Sequence, residues 1–193
     1  MDLRKETVKG VAWSAVDRIA NSGIQLIANI VLARILVPDD FGLLAIITIL
    51  IQIAQVFIDS GFTNALIQKK DRSQSDFSTV FIFNLGIAIV LYLLLCILAP
   101  FISDFFNNSR LVDLIRVVGL NLIIGALAAV HRTKLTIELR FKIQSFITLI
   151  SVSISCTIAI YLAYTGIGVW SLVAMSLLNT GIQVVLFFLL IKW

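Results

Sequence analysis

The order of apolar and polar positions divides the chain into long hydrophobic stretches separated by short polar segments. A helix that crosses a membrane needs about 20 mostly apolar residues. Six stretches reach this length, and each ends at a turn signal or a charged cluster. The pattern therefore predicts six transmembrane helices, at residues 11–36, 41–66, 77–100, 111–130, 146–164 and 169–191.

The breaks between these stretches have physical causes. Pro38 is predicted to end the first helix, because proline cannot continue the hydrogen-bond ladder of a helix. Pro100, together with Asn107, Asn108 and Ser109, is predicted to close the third. Gly166 and Gly168 predict a tight turn before the last helix. Strands of a membrane β-barrel would be about 10 residues long with alternating polarity, so the predicted fold class is all-α.

Composition supports a polytopic membrane helix bundle. Of the 193 residues, 60% are hydrophobic and 13% are charged, whereas a soluble domain has about 45–50% apolar and about 25% charged residues. One soluble core could not cover so much apolar surface, so lipid must be the solvent for much of the chain. We expect a single transmembrane domain over residues 1–193.

The placement of Lys and Arg predicts the orientation, because cytoplasmic loops carry an excess of both. Eleven basic residues fall on one predicted side, against Arg34 and Arg110 on the other and Arg116 just inside a helix. With six helices, both termini are then cytoplasmic. The eleven are Arg4, Lys5, Lys9, Lys69, Lys70, Arg72, Arg132, Lys134, Arg140, Lys142 and Lys192.

Polar residues inside the first two stretches collect on one face of each helix. On a helical wheel, those of the first stretch fall within an arc of about 140° and those of the second within about 80°. The first polar stripe contains Ser14, Asp17, Arg18, Asn21, Ser22, Gln25 and Asn29. The second polar stripe contains Thr48, Gln52, Gln55, Asp59 and Thr63.

These stripes predict the wall of a hydrated cavity for a polar, anionic cargo. A charge near the bilayer centre costs at least about 2.5–3.5 kcal/mol, so such residues usually face a partner or a water-filled path. The substrate-path candidates are Asp17, Arg18, Asn21, Gln25, Asn29, Gln52, Gln55 and Asp59. Asn121, Asn179 and Gln183 are weaker candidates.

Structural explanations of the same residues stay open. Ser, Thr, Asn and Gln also hydrogen-bond between membrane helices, often for less than about 1 kcal/mol each. Asp17 and Arg18 can form an ion pair within the membrane, or Arg18 can extend toward the interface. The basic segment at residues 132–142 either attracts anionic lipid, at about 1 kcal/mol per basic residue, or only enforces topology.

The sequence contains no arrangement of residues that indicates catalysis. It has no Walker loop, no Cys or His cluster and no Ser-His-Asp set with plausible proximity. Cys96 and Cys156 both lie in apolar stretches, without metal-ligand spacing. We therefore expect no enzyme activity, metal or cofactor, and nucleic-acid binding has no support.

Five segments carry a resemblance to a known family. They are Lys-Gly-Val-Ala-Trp-Ser at residues 9–14, Ala-Arg-Ile-Leu-Val-Pro-Asp-Asp-Phe-Gly at 33–42, Asp-Ser-Gly-Phe-Thr-Asn-Ala-Leu-Ile-Gln at 59–68, Leu-Arg-Phe-Lys at 139–142 and Gly-Ile-Gly-Val-Trp-Ser-Leu-Val at 166–173. The chain resembles the Wzx-type oligosaccharide flippases, the polysaccharide transporters of the multidrug/oligosaccharidyl-lipid/polysaccharide (MOP) exporter superfamily.

The resemblance implies one lobe of a MOP/MATE-like fold. It also implies translocation of undecaprenyl-pyrophosphate-linked oligosaccharide across the bacterial inner membrane, in polysaccharide, O-antigen or lipopolysaccharide biosynthesis. In the family, the first two helices line a central, often cationic cavity. Arg18 would then contact the cargo pyrophosphate, and Asp17 and Asp59 would orient Arg18 or carry a coupling proton or Na⁺. Membrane lipids and the lipid-linked oligosaccharide are the implied partners.

One feature departs from the family pattern, since family members have two lobes of this size. We expect the chain to be the N-terminal lobe, completed by a C-terminal lobe of a longer protein. The alternative is a parallel pair of copies, because lobes of this kind are related by an axis along the membrane normal. Two other functions stay open: a MATE-like small-molecule or drug antiporter, and a non-transporting scaffold of a polysaccharide assembly complex.

Overall fold

The described part of the chain forms six α-helices. The computed structural model describes residues 3–59 and 73–191. Within these ranges it describes the side chains of all residues except 3–12, 14–16 and 59. The helices are α1 (Leu3–Ala33), α2 (Pro38–Asp59), α3 (Gln74–Phe105), α4 (Arg110–Ile137), α5 (Phe141–Tyr164) and α6 (Trp170–Leu190). The predicted all-α polytopic bundle is confirmed.

Five of these helices are long and apolar enough to cross a membrane. Within the described ranges they are α2, from Pro38 to Ile58, and the whole of α3, α4, α5 and α6. The helix α1 is less apolar along its whole length, since it carries four charged residues near its start, Arg4, Lys5, Glu6 and Lys9, as well as the first polar stripe. Residues 60–66, with which the second predicted helix ended, lie outside the described residues.

The chain forms two compact units. The first contains Met1–Leu36 and His131–Trp193, and the second contains Val37–Val130. Thus α1, α5 and α6 belong to the first unit, and α2 and α3 to the second. The helix α4 contributes residues 110–130 to the second unit and residues 131–137 to the first.

The two prolines act differently from the sequence-based prediction. Pro38 begins α2, with Asp39 and Asp40 in the first turn of that helix. Proline suits the first position of a helix, because a backbone N–H there would have no hydrogen-bond partner within the helix and proline has no N–H. Acidic residues in the first turn stabilise the positive end of the helix dipole. Pro100 lies inside α3, which continues to Phe105, as membrane helices allow when neighbouring groups satisfy the released carbonyl.

The basic segment after the fourth predicted helix is also helical. The helix α4 continues past residue 130 to Ile137. The chain then turns at Leu139, which has a positive φ of 54°, and α5 begins at Phe141. Residues 132–142 are therefore a helix end, a turn and a helix start. The glycine turn is confirmed, with Gly166 at φ 81° and Gly168 at φ 66°.

Small residues hold the first unit together. The helix α5 packs against both α1 and α6, and its buried positions include Ser145, Ser151, Ser155, Ala159 and Ala163. Ser151 donates its hydroxyl to the Ile147 carbonyl at 2.8 Å, so this polar group is satisfied within its own helix. Small side chains let membrane helices approach closely, which is the role that this face of α5 has.

In the second unit, a glycine of α4 makes room for an aromatic ring of α3. A Cβ atom built on Gly119 would lie 3.0 Å from Cδ2 and 3.2 Å from Cε2 of the Tyr92 ring. Gly125, on the same helix, has no such neighbour within 4 Å among the described residues. A side chain at Gly119 would therefore crowd the Tyr92 ring.

We expect Gly119→Leu to destabilise the protein by about 1–3 kcal/mol, because overpacking forces side chains and backbone to shift. The thermal midpoint in detergent, followed by reaction of Cys96 and Cys156 with a thiol-reactive dye, measures the effect. Gly125→Leu is the matched control and should change the midpoint much less. Equal losses in the two variants would show that Gly119 has no special contact, and adding Tyr92→Ala to Gly119→Leu should restore part of the loss.

Candidate functional site

The structure divides the first polar stripe between two sides of α1. Ala28 and Leu32 are buried, and Ala28 packs against Val152 of α5. Residues separated by three, four or seven positions share a helix face, so Asp17 and Asn21 lie on this packed side. Both are partly buried. Asp17 and Asn21 therefore face the contact between α1 and α5, and only the exposed remainder of each side chain can face an open path.

Three further members lie toward the open side of α1, and the side chain of Ser14 lies outside the described residues. Arg18, Ser22 and Asn29 are exposed. Gln25 lies between the two sides and donates from Nε2 to Oδ1 of Asn21 at 2.9 Å. The exposed part of the first polar stripe thus consists of a guanidinium, a hydroxyl and an amide, while Asn21 and Gln25 are linked along the helix.

Two buried polar oxygens in this unit have no hydrogen-bond donor. Oδ1 of Asp17 and Oε1 of Gln144 both lack a partner within the part of the chain that the structure describes. A buried acceptor without a donor costs about 1–3 kcal/mol. Among the described residues of the first polar stripe, Asp17 is therefore the one with a buried oxygen that lacks a hydrogen-bond donor.

The second polar stripe belongs to the other unit. Gln52 and Thr48 are exposed, and Gln55 is partly buried. Thr48 donates its hydroxyl to the Leu44 carbonyl of its own helix at 2.8 Å. Asp59 ends α2, but its side chain lies outside the described residues. Because the two stripes fall in different units, their predicted meeting at one cavity stays a prediction.

A second polar cluster links α4 to α6 in the first unit. Arg132 donates from Nη2 to Oε1 of Gln183 at 2.9 Å. Gln183 in turn donates from Nε2 to Oδ1 of Asn179 at 3.1 Å. Beside them, the buried His131 ring packs on Phe188 with 4.5 Å between ring centroids. We call Arg132, Asn179 and Gln183 the α6 amide cluster.

Sequence reasoning found only part of this cluster. It named Asn179 and Gln183 as weaker path candidates, and it assigned Arg132 to the topology-setting charges. The four-residue spacing of the two amides is a local signal, since such residues share a helix face. The link to Arg132 spans 51 positions, so no local pattern could have revealed it.

The chemistry available in these groups is anion recognition. Arg18 and Arg132 are both exposed, and a guanidinium offers five N–H donors that match phosphate oxygens in pairs. Within residues 3–59 and 73–191, no three His, Cys, Asp or Glu side chains come together as metal ligands would. The described groups therefore suit the binding of a phosphate or sugar better than metal chemistry.

Long apolar helices that carry charged and amide side chains define a multi-pass α-helical membrane protein. The chain belongs to the family described as "Polysaccharide biosynthesis protein", which matches residues 31–193.

Curated relatives agree with this family. The chain is 29% identical over 187 residues to "Lipopolysaccharide biosynthesis protein WzxC" of Escherichia coli, covering 97% of this chain and 38% of the relative. It is 28% identical over 170 residues to "Succinoglycan biosynthesis transport protein ExoT" of Rhizobium meliloti, covering 88% and 34%. A "Teichuronic acid biosynthesis protein TuaB" of Bacillus subtilis is 27% identical over 149 residues, covering 77% and 31%.

The chain thus spans about a third of the length of these relatives. No solved structure shows significant similarity to the chain.

We expect Gln183→Leu to destabilise the protein by about 1–3 kcal/mol, because the change removes the acceptor of Arg132 and the donor of Asn179 in a partly buried place. Thermal unfolding in detergent measures the loss. Asn29→Leu is the matched control, an exposed amide on α1 whose replacement should stay within about 0.5 kcal/mol. A Gln183→Leu midpoint equal to that of the control would show that the cluster contributes nothing to stability.

Proposed function

We propose that the chain is the N-terminal lobe of a flippase that moves undecaprenyl-pyrophosphate-linked oligosaccharide across the bacterial inner membrane. The observation that carries the proposal is the family match over residues 31–193, which includes the five helices of the described residues that are long and apolar enough to span a bilayer. A chain that belongs to a polysaccharide biosynthesis family and carries such helices is suited to moving a sugar-bearing lipid across a membrane. A soluble biosynthetic step would need no such helices.

The printed names of the relatives support the same choice. They concern lipopolysaccharide, succinoglycan and teichuronic acid biosynthesis, and one is called a transport protein. Lipopolysaccharide, succinoglycan and teichuronic acid differ as polymers, so these names share polysaccharide biosynthesis rather than one product. A drug antiporter or a non-transporting scaffold has no comparable support.

The exposed guanidiniums supply the recognition chemistry in this proposal. Arg18 projects from the open side of α1 and Arg132 from the α6 amide cluster. A pyrophosphate accepts paired, charge-assisted hydrogen bonds from guanidinium groups. Asn29 and the amides beside Arg132 would bind sugar hydroxyls, and Asp17 would orient Arg18 or carry a coupling proton or Na⁺. The rest of the longer protein would supply the opposite wall.

We expect Arg18→Ala in the chromosomal gene to lower surface polysaccharide about tenfold or more at equal transporter level. Hydrogen bonds to charged groups contribute about 1.5–3 kcal/mol, and each 1.4 kcal/mol changes an equilibrium about tenfold. Surface polymer is measured by antibody binding and normalised to transporter in isolated membranes. Arg110→Ala removes an exposed arginine near the start of α4 and is the matched control. Export that is unchanged in Arg18→Ala would remove Arg18 from the cargo path.

The orientation is also part of the proposal, with both termini in the cytoplasm. The bias of Lys and Arg toward one side supports it. In this topology the turns at residues 106–109 and 165–169 face the periplasm, and the turn at residues 138–140 faces the cytoplasm.

The orientation predicts which introduced cysteines react with a membrane-impermeant maleimide. In a chain without Cys96 and Cys156, Asn108→Cys and Thr165→Cys should be labelled on intact spheroplasts, whereas Glu138→Cys should be labelled only after permeabilisation. All three positions lie in turns between helices; Glu138 and Thr165 are exposed and Asn108 is partly exposed. The reverse labelling pattern would contradict the proposed orientation.

A further inference from the structure

An apolar groove lies in the first unit, where α5 begins and α6 ends, beside Trp13 of α1. Its volume is about 460 Å³, within the range of about 300–1,000 Å³ that is usual for small-molecule sites. Its apolar wall contains Ile143, Phe146, Leu149 and Leu190. Phe146 and Leu190 are well exposed, so the groove is open to the surroundings of the helices.

A cation and an indole ring border this groove. The Lys142 ammonium lies over the Trp13 ring, 5.7 Å from its centroid. Tryptophan is enriched where the hydrocarbon core meets the headgroup layer, and lysine extends its charge toward headgroups from an apolar stem. This pair therefore marks the headgroup level at one end of the groove, and the apolar wall follows toward the membrane interior.

The described residues at the groove supply one cation. Among the described residues that line it, Lys142 is the charged one. The neighbouring Arg140 forms an ion pair with Glu138, with 3.4 Å between Nη1 and Oε2. The Ser145 hydroxyl faces the Trp13 carbonyl oxygen at 3.5 Å, so its hydrogen is directed within the protein. The described part of the groove thus offers one ammonium and a long apolar surface.

We propose that this groove binds an acyl chain of an anionic glycerophospholipid, with the lipid phosphate beside Lys142. The partner is identified by its chemistry, because the Lys142 ammonium complements the negative charge of a phosphodiester and the apolar wall beside it suits an acyl chain. An undecaprenyl-pyrophosphate carries more charge, and the guanidiniums that suit it lie elsewhere, at Arg18 and Arg132. The groove is therefore a site for bulk lipid and is distinct from the proposed cargo path.

Quenching of Trp13 fluorescence by brominated lipids tests this site directly. The chain carries Trp170→Phe and Trp193→Phe so that Trp13 is the fluorophore, and it is reconstituted into phosphatidylcholine vesicles. Brominated phosphatidylglycerol or brominated phosphatidylcholine is then titrated in. We expect phosphatidylglycerol to quench at about a fivefold lower mole fraction, the factor given by about 1 kcal/mol for one basic residue near the headgroups.

Variants separate the site from general attraction to the membrane. Lys142→Ala should abolish the preference for phosphatidylglycerol, Lys142→Arg should keep it, and Arg110→Ala, which removes a positive charge from the start of α4, should leave it unchanged. Size-exclusion profiles in detergent verify that each variant is folded. Equal quenching by the two lipids, or a preference that survives in Lys142→Ala, would overturn the proposal.

A competition arm identifies the occupant. Unbrominated phosphatidylglycerol should relieve the quenching at an equal mole fraction, and undecaprenyl phosphate should require more. If undecaprenyl phosphate relieves it at a lower mole fraction, the groove binds the isoprenoid carrier and the proposal is wrong. Surface polysaccharide in Arg18→Ala cells tests the cargo path separately, so the two proposals can fail independently.

Discussion

The hydrogen bonds of the backbone within each helix are the constraint on which the rest of the structure depends. The bilayer core holds no water to satisfy an exposed N–H or C=O group, so each spanning segment must be helical. The same requirement acts on side chains. Ser151 and Thr48 return their hydroxyls to carbonyls of their own helices, which leaves few polar groups that need a partner from outside.

The polar groups that remain are therefore informative. The α6 amide cluster joins a guanidinium and two amides in one chain of hydrogen bonds, which stabilises polar groups beside apolar helices. The first polar stripe behaves differently, because Arg18 and Asn29 project from α1 into the open. Keeping charged and amide groups on an open helix face in a membrane is costly. A water-filled path along α1 would remove most of that cost, which connects the local chemistry to translocation.

Much of the fold could be predicted from the sequence, because long apolar stretches have one solution in lipid. The helix count and the glycine turn at Gly166 and Gly168 followed from hydropathy and backbone preference. Helix ends were less certain, since Pro38 starts a helix as readily as it ends one. Pro100 was placed wrongly for a related reason: a long membrane helix can continue through proline when nearby groups satisfy the carbonyl it releases.

The candidate site was less accessible to sequence reasoning. Helical spacing predicted that the stripe residues share a face, but the pattern could not say which side of that face packs on α5. Asp17 and Asn21 fall on the packed side with Ala28, while Arg18 falls on the open side. Contacts between distant positions, such as Arg132 with Gln183 and Gly119 with Tyr92, depend on tertiary packing and leave no periodic signal.

Water accessibility along α1 tests the central claim most directly, namely that the open part of the first polar stripe lines a hydrated path. Single cysteines replace Arg18, Ser22 and Asn29, with Ile19 and Leu26 as matched controls on the apolar side, in a chain without native cysteines. A charged, water-soluble thiol reagent is applied to open membrane fragments. The account predicts fast reaction at residues 18, 22 and 29 and slow reaction at residues 19 and 26. Equally slow reaction at all five positions would contradict it, because the stripe would then face lipid or packed protein.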